Sequence, residues 1–194
     1  MIKNILSTIA IILMVSITTV VIKYDVISII KKTHNFSDET IPLYMEFMGK
    51  VLETGDAAKA MVLEYKVLED VSNEDVADSI KALAEEHNMI LTGDTKMFTK
   101  KDAIPTEVKH ARIFSLCSLT IAKQFLNYSR EFGGFMPCRI MLIEMGNGDR
   151  FLYSMDLKLM IYGGFKMEDK MFKLASKVDF SMRDIAARAA EGDF

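Results

Sequence analysis

Eighteen consecutive residues without a charge, Ile5 to Ile22 (ILSTIAIILMVSITTVVI), constrain this chain more than any other feature. As a helix they span about 27 Å at 1.5 Å per residue, close to the roughly 30 Å hydrocarbon core of a bilayer. The embedded Ser and Thr hydroxyls can bond back to helix carbonyls, so they do not disqualify a membrane span. The rival reading is a cleaved export signal. Signal cores are shorter, about 7–15 residues, and end in a small-residue site. Here the run ends Val20-Val21-Ile22-Lys23. An uncleaved single-pass anchor is therefore the expectation. Lys3 before the span and Lys23, Lys31 and Lys32 after it would, counted literally, keep the body cytoplasmic. The very short amino-terminal tail resembles an export signal, and long domains translocate regardless of charge, so the body is expected on the extracytoplasmic, periplasmic side of the cell membrane.

Charge divides along the chain. Residues 1–32 hold four Lys and one Asp, net +3, so with the 194-residue chain at −3 the remainder carries −6. An acidic body argues against nucleic acid as a partner, because phosphate binding needs a basic surface. It suits a head held off anionic lipid. Two cysteines are too few for a disulfide-stapled scaffold or a four-thiolate metal centre.

Periodicity divides the chain into an anchor and stem (1–32), a linker helix (33–59), an α+β domain (60–165) and a C-terminal amphipathic helix (166–194). Thr40-Ile41-Pro42 opens a helix that Gly55 stops. From Met61 the apolar residues alternate with Glu64 and Lys66, the pattern of a half-buried strand. Ser72 starts a helix with Val76, Ile80, Leu83 and His87 in line. Met89–Thr92 and Ala111–Cys117 read as strands. Ser118 caps a helix whose inner face is Ile121, Ala122, Phe125, Tyr128 and Phe132, ended by Gly133-Gly134. Cys138–Met145 and Arg150–Met155 flank Gly146-Asn147-Gly148-Asp149, a hairpin signal. Lys166–Ala190 forms the long last helix. The order β-α-β-β-α-β-β-α predicts an α+β fold with an antiparallel sheet. Ile140-Met141-Leu142-Ile143 is apolar on both parities, which predicts a central strand covered on both faces by the last helix or by a subunit partner, such as a second copy.

Three segments carry a resemblance: Ala84-Glu85-Glu86-His87-Asn88-Met89-Ile90-Leu91-Thr92, Phe114-Ser115-Leu116-Cys117-Ser118-Leu119, and Phe132-Gly133-Gly134-Phe135-Met136-Pro137-Cys138-Arg139-Ile140. With Met155-Asp156-Leu157-Lys158-Leu159-Met160 they resemble the bacterial domain of unknown function 302, over residues of about 60–162. The chain departs from the family pattern at Ser118-Leu119, where Asn-Pro is usual, and at Leu157, where Pro is usual. The resemblance implies a TATA-binding-protein-like α+β arrangement and no established activity.

Chemistry concentrates at Cys117 and Cys138, at facing ends of two strands. Cys117 precedes a helix N-terminus, which favours a thiolate. A redox dithiol, a sulfur-carrying site or a soft-metal site would use this pair; two buried small hydrophobes would also explain it. Met136, Met141, Met145, Met155 and Met160 are soft donors beside Cys138, suited to Cu(I) or a haem axial position, and equally suited to filling a core. His34, His87 and His110 lack ligand spacing and read as capping or surface residues. No phosphate loop or nucleophile elbow appears. The leading expectation is a membrane-anchored, non-catalytic binding or assembly domain with no cofactor, an accessory subunit of a membrane complex or a small-ligand binder. A thiol-dependent redox or sulfur-handling protein, and a haem- or copper-carrying electron-transfer accessory, are the alternatives.

Overall fold

The computed structural model describes residues 2–194, with side chains from residue 6 onward, so Lys3 and Ile5 of the leading segment lie outside the described side chains. Helix α1 (Ile2–Lys23) contains an uncharged run long and apolar enough to cross a membrane, and none of it is buried against the rest of the chain. Asp25, in the left-handed region at φ 45°, breaks α1 from the short α2 (Val26–Thr33). Helix α3 (Thr40–Thr54) follows and ends at Gly55, whose φ of 67° is a conformation that residues with a Cβ rarely adopt. This stem is fastened to the body. Thr40 Oγ1 donates to the carbonyls of Tyr162 (2.7 Å) and Gly164 (3.0 Å), and the Tyr44 hydroxyl donates to that of Gly163 (2.9 Å).

The body is a five-stranded antiparallel sheet in the order β1-β5-β4-β3-β2. Its strands are β1 (Val62–Lys66), β2 (Ile90–Thr99), β3 (Val108–Cys117), β4 (Cys138–Met145) and β5 (Arg150–Met155). Short α4 (Ala57–Met61) precedes β1, α5 (Asn73–Glu86) joins β1 to β2, and α6 (Leu119–Tyr128) joins β3 to β4. Short α7 (Lys158–Tyr162) and long α8 (Asp169–Glu191) follow β5. The reason α5 begins where it does is local: Ser72 and Asp75 form a reciprocal capping box. The β4–β5 hairpin turns at Gly146, where a Cβ would stand 2.0 Å from the Ile104 carbonyl oxygen. Glycine there lets the 100s loop lie against the turn.

Alternation along the strands separates two faces. Phe114, Leu116, Ile140, Leu142 and Leu152 are fully buried on one, beneath α5 (Val76, Ile80, Leu83) and α8 (Met182, Ile185, Ala186, Ala189). Helix α8 therefore belongs to the same core as the sheet. A second cluster, Phe125, Leu157, Ile161, Met167, Met171 and Ala175, joins α6, α7 and the start of α8.

Strand β4 is central, as expected, and within this chain helices cover one of its faces. Ile113, Met141, Ile143, Phe151 and Tyr153 on the other face are half-buried. Several expectations need correction. Helix α6 stops at Tyr128, and Gly133-Gly134 lie in a 3₁₀ helix (Arg130–Phe135) instead of capping it. Ser118 stands at the α6 N-cap position without a capping side-chain hydrogen bond. Strand β2 runs seven residues beyond Thr92, since backbone pairing with β3, and not an apolar pattern, holds it.

Candidate functional site

Leu116 on β3 pairs with Cys138 on β4, so the next residue, Cys117, emerges beside the start of β4. Both thiols are free and half-buried, and both line an apolar cavity of about 80 Å³. The cavity lies between the end of the sheet, α6, the 3₁₀ helix, α7 and α8. Phe125 and Phe132, with ring centroids 4.8 Å apart, form one wall. Leu157, Ile161 and Ala175 form another, and Met89, Met136, Met160 and Met167 fill the spaces between.

Burial raises the Cys117 thiol pKa. The effect of the nearby helix N-terminus does not prevail, contrary to the thiolate expected from sequence. Burial, then the neighbouring Cys117, pushes Cys138 up to about 11. Both groups are neutral thiols at pH 7, small and weakly polar, in keeping with their surroundings.

A second, larger cavity of about 260 Å³ opens beside the half-buried face of the sheet. Met141 and Met155 line it, along with Arg139, Tyr153 and Ser154. The soft donors grouped from sequence are thus divided. Met136 and Met160 share the inner cavity with both cysteines; Met141 and Met155 share the outer one with Cys138 alone. Met145, at the far end of β4, lines neither of these two cavities. Phe135, Cys138 and Leu157 line both and form the wall between them. Sequence reasoning missed the aromatic and aliphatic lining. Phe125 and Phe132 do recur on the helical face assigned to packing, but that spacing marks a cavity wall and a filled core alike.

His34 and His87 take helix C-cap positions, as expected, and His110 departs from expectation. His110 is buried in β3, with Nδ1 2.7 Å from Thr99 Oγ1, and is not a surface residue. His87 occupies the α5 C-cap position, with Nε2 2.7 Å from Asp184 Oδ2 of α8. Glu86, His87 and Asp184 lie close enough together to hold a cation. Arg188 already bridges that group, reaching Glu86 at 3.0 Å and Asp184 at 3.4 Å, so it reads as an ion-pair clasp between α5 and α8. A further network joins Arg112 of β3 to Asp94 of β2 by two 2.7 Å hydrogen bonds and to Glu74 of α5 at 2.8 Å.

A family model described as a domain of unknown function, DUF302, matches residues 64–189. The chain belongs to the DUF302 family. The match runs from β1 almost to the end of α8, so the DUF302 unit includes the last helix, which lies beyond the motifs that carry the resemblance. No curated protein matches the sequence. A crystal structure of an uncharacterized conserved DUF302 protein from Bacillus stearothermophilus is similar, with a TM-score of 0.50 at 10% identity, covering 65% of this chain and 95% of that one. At that identity the likeness concerns the DUF302 fold alone.

Proposed function

We propose that this protein is a membrane-tethered, non-catalytic binding domain whose ligand is a small apolar molecule held in the inner cavity. The observation that carries this reading is the cavity itself. It has room for more than a water molecule, while its lining gives water few partners. Aromatic walls with thioether fillers accept apolar shapes and adjust to them. The uncharged run of α1 would hold the domain at a cell membrane as a single-pass anchor, with the body on the extracytoplasmic side. Helices α2 and α3, the latter fastened at Gly163 and Gly164, would then act as the stem.

Native mass spectrometry of the full chain released from lipid nanodiscs tests the reading. A retained small molecule, lost when Ala175 is replaced by Phe to plug the cavity, supports it. A bare polypeptide mass, together with failure to take up an apolar probe such as decanol, contradicts it.

A second reading rests on the meeting of Cys117 and Cys138 at one cavity. A pair of thiols flanked by thioethers suits Cu(I), or two-electron exchange between a dithiol and a disulfide. The raised thiol pKa values weigh against fast thiolate chemistry at neutral pH. Metal analysis and an absorption spectrum of the purified chain separate this reading from the first.

A further inference from the structure

The sheet has one face beneath α5 and α8 and one without a helix over it. Outward positions on such a face of an antiparallel sheet are ordinarily polar. Here Ile113 of β3, Met141 and Ile143 of β4, and Phe151 and Tyr153 of β5 occupy them, with the Phe151 and Tyr153 ring centroids 6.3 Å apart. A contiguous apolar patch across three strands marks a surface that meets a partner. Two charges flank it. Glu64 of β1 stands opposite Tyr153, and Arg139 of β4 stands opposite Ser115 of β3. Both are exposed, and neither makes an ion pair among the described residues. Lys66, on the same face of β1, is already held by Asp149 at 3.1 Å. Burial and then Glu64 push the Tyr153 pKa up to about 12, so this carboxylate lies against the patch.

We infer that this face packs on the same face of a second copy of the chain, across a two-fold axis, with Glu64 of each copy paired to Arg139 of the other. The register sets the geometry. Glu64 and Arg139 are two strands and one side-chain row apart, about 12 Å by ordinary strand and residue spacings. Their midpoint falls on β5, between Tyr153 and Met155. A two-fold axis in the interface plane, through that point and perpendicular to the line joining the charges, exchanges the two positions, so one dimer contains the ion pair twice. The same operation sets Ile113 against Phe151 of the partner subunit and Met141 beside Tyr153 of the partner subunit, so apolar side chains meet apolar side chains. The axis runs more along the strands than across them, from the end where β1 begins towards the β4–β5 hairpin. The stem joins the body at the first of these ends, where α4 leads into β1 and Thr40 bonds the Tyr162 and Gly164 carbonyls. Both stems therefore leave the dimer on one side, as two chains tethered in one bilayer require. An anionic lipid surface would repel Glu64, whereas a second copy supplies a partner for both charges. The inference does not depend on what the inner cavity holds.

The test is sedimentation of the full chain in density-matched detergent over a range of protein concentrations, with charge reversals at the two positions. The parent should sediment as a dimer. Glu64→Arg and Arg139→Glu, each alone, set like charges opposite one another at two places and should raise the concentration of half-dissociation by about tenfold or more. The double variant carrying both exchanges rebuilds the pairs in reverse and should restore the dimer. A monomer at every concentration would overturn the inference and leave the face to lipid or to a different protein. A dimer indifferent to either reversal would place the contact elsewhere on the chain, and single reversals that the double variant fails to rescue would show that the two residues do not meet; both results overturn it too.

Discussion

Cys117 and Cys138 sit on adjacent strands at one cavity, yet only Cys138 also faces the second cavity, so the two thiols are not equivalent. That difference governs their reactivity. Cys138 has a pKa of about 11, so at pH 8 about one molecule in a thousand carries the thiolate. Labelling with a water-soluble disulfide reagent should be slow at Cys138 in the native protein and complete in denaturant. Its rate should rise about tenfold per pH unit between 7 and 9. Native labelling of both thiols as fast as in the unfolded chain would show that the cavity is open to water.

The Arg112 network ties β2, β3 and α5 together and makes stability acid-sensitive. Hydrogen bonds from Lys96 and then Arg112 hold the Glu74 carboxyl at about 2, and the hydrogen bonds from Arg112 lower that of Asp94. A carboxylate whose pKa is depressed by folding stabilises the native state above its unfolded value, and that contribution disappears as pH falls through the folded value. Stability should therefore decline from about pH 4.5 towards pH 2. At neutral pH, Asp94→Asn should cost roughly 1–3 kcal/mol, because it leaves the largely buried Arg112 with a poorer partner. Urea denaturation of this variant should show a flatter acid slope than the parent.

Two large-to-small substitutions separate the core from the cavity wall. Ile185 of α8 is fully buried against the sheet, so Ile185→Ala should destabilise by about 2–5 kcal/mol. Phe125 borders a space that already exists. Phe125→Ala should enlarge that space and increase the uptake of bulky apolar probes, at a cost to stability of about 3 kcal/mol. Denaturant midpoints and probe binding measured on the same samples check both.

The proposed membrane attachment would rest on α1, the one helix among the described residues long and apolar enough to span a bilayer. The full chain should stay with the membrane fraction after alkaline carbonate washing and begin, by mass, before Lys23. Mature material beginning beyond Lys32 would show that the leading helix is a removed signal.

Sequence revealed most of the sheet because most of its strands carry their own burial pattern. Strands β4 and β5 run from Cys138 to Met145 and from Arg150 to Met155, the bounds expected from their apolar residues and the Asn-Gly turn. Strand β2 was legible only at its start. Thr95 to Thr99 are exposed, include Lys96 and follow Asp94, so nothing local distinguishes an edge strand from a loop; the register with β3 decides. The two cysteines could be named from sequence, but their sharing of one cavity depends on the pairing of Leu116 with Cys138, a contact between distant segments. Arg112 and Asp94 escaped notice for the same reason: their hydrogen bonds cross strands whose register only the folded chain fixes. Local patterns report burial, and they do not report where buried surfaces fail to meet.

The most direct measurement is methyl NMR of the full chain with ¹³C-labelled methionines during titration with decanol. Four of the fifteen methionines, Met89, Met136, Met160 and Met167, line the inner cavity, while Met45, Met48 and Met97 are exposed elsewhere. The expected result is saturable shifts in the first group, with Met45, Met48 and Met97 unmoved, and loss of those shifts in Ala175→Phe. Shifts confined to the exposed methionines, or the same response in the plugged variant, would contradict it.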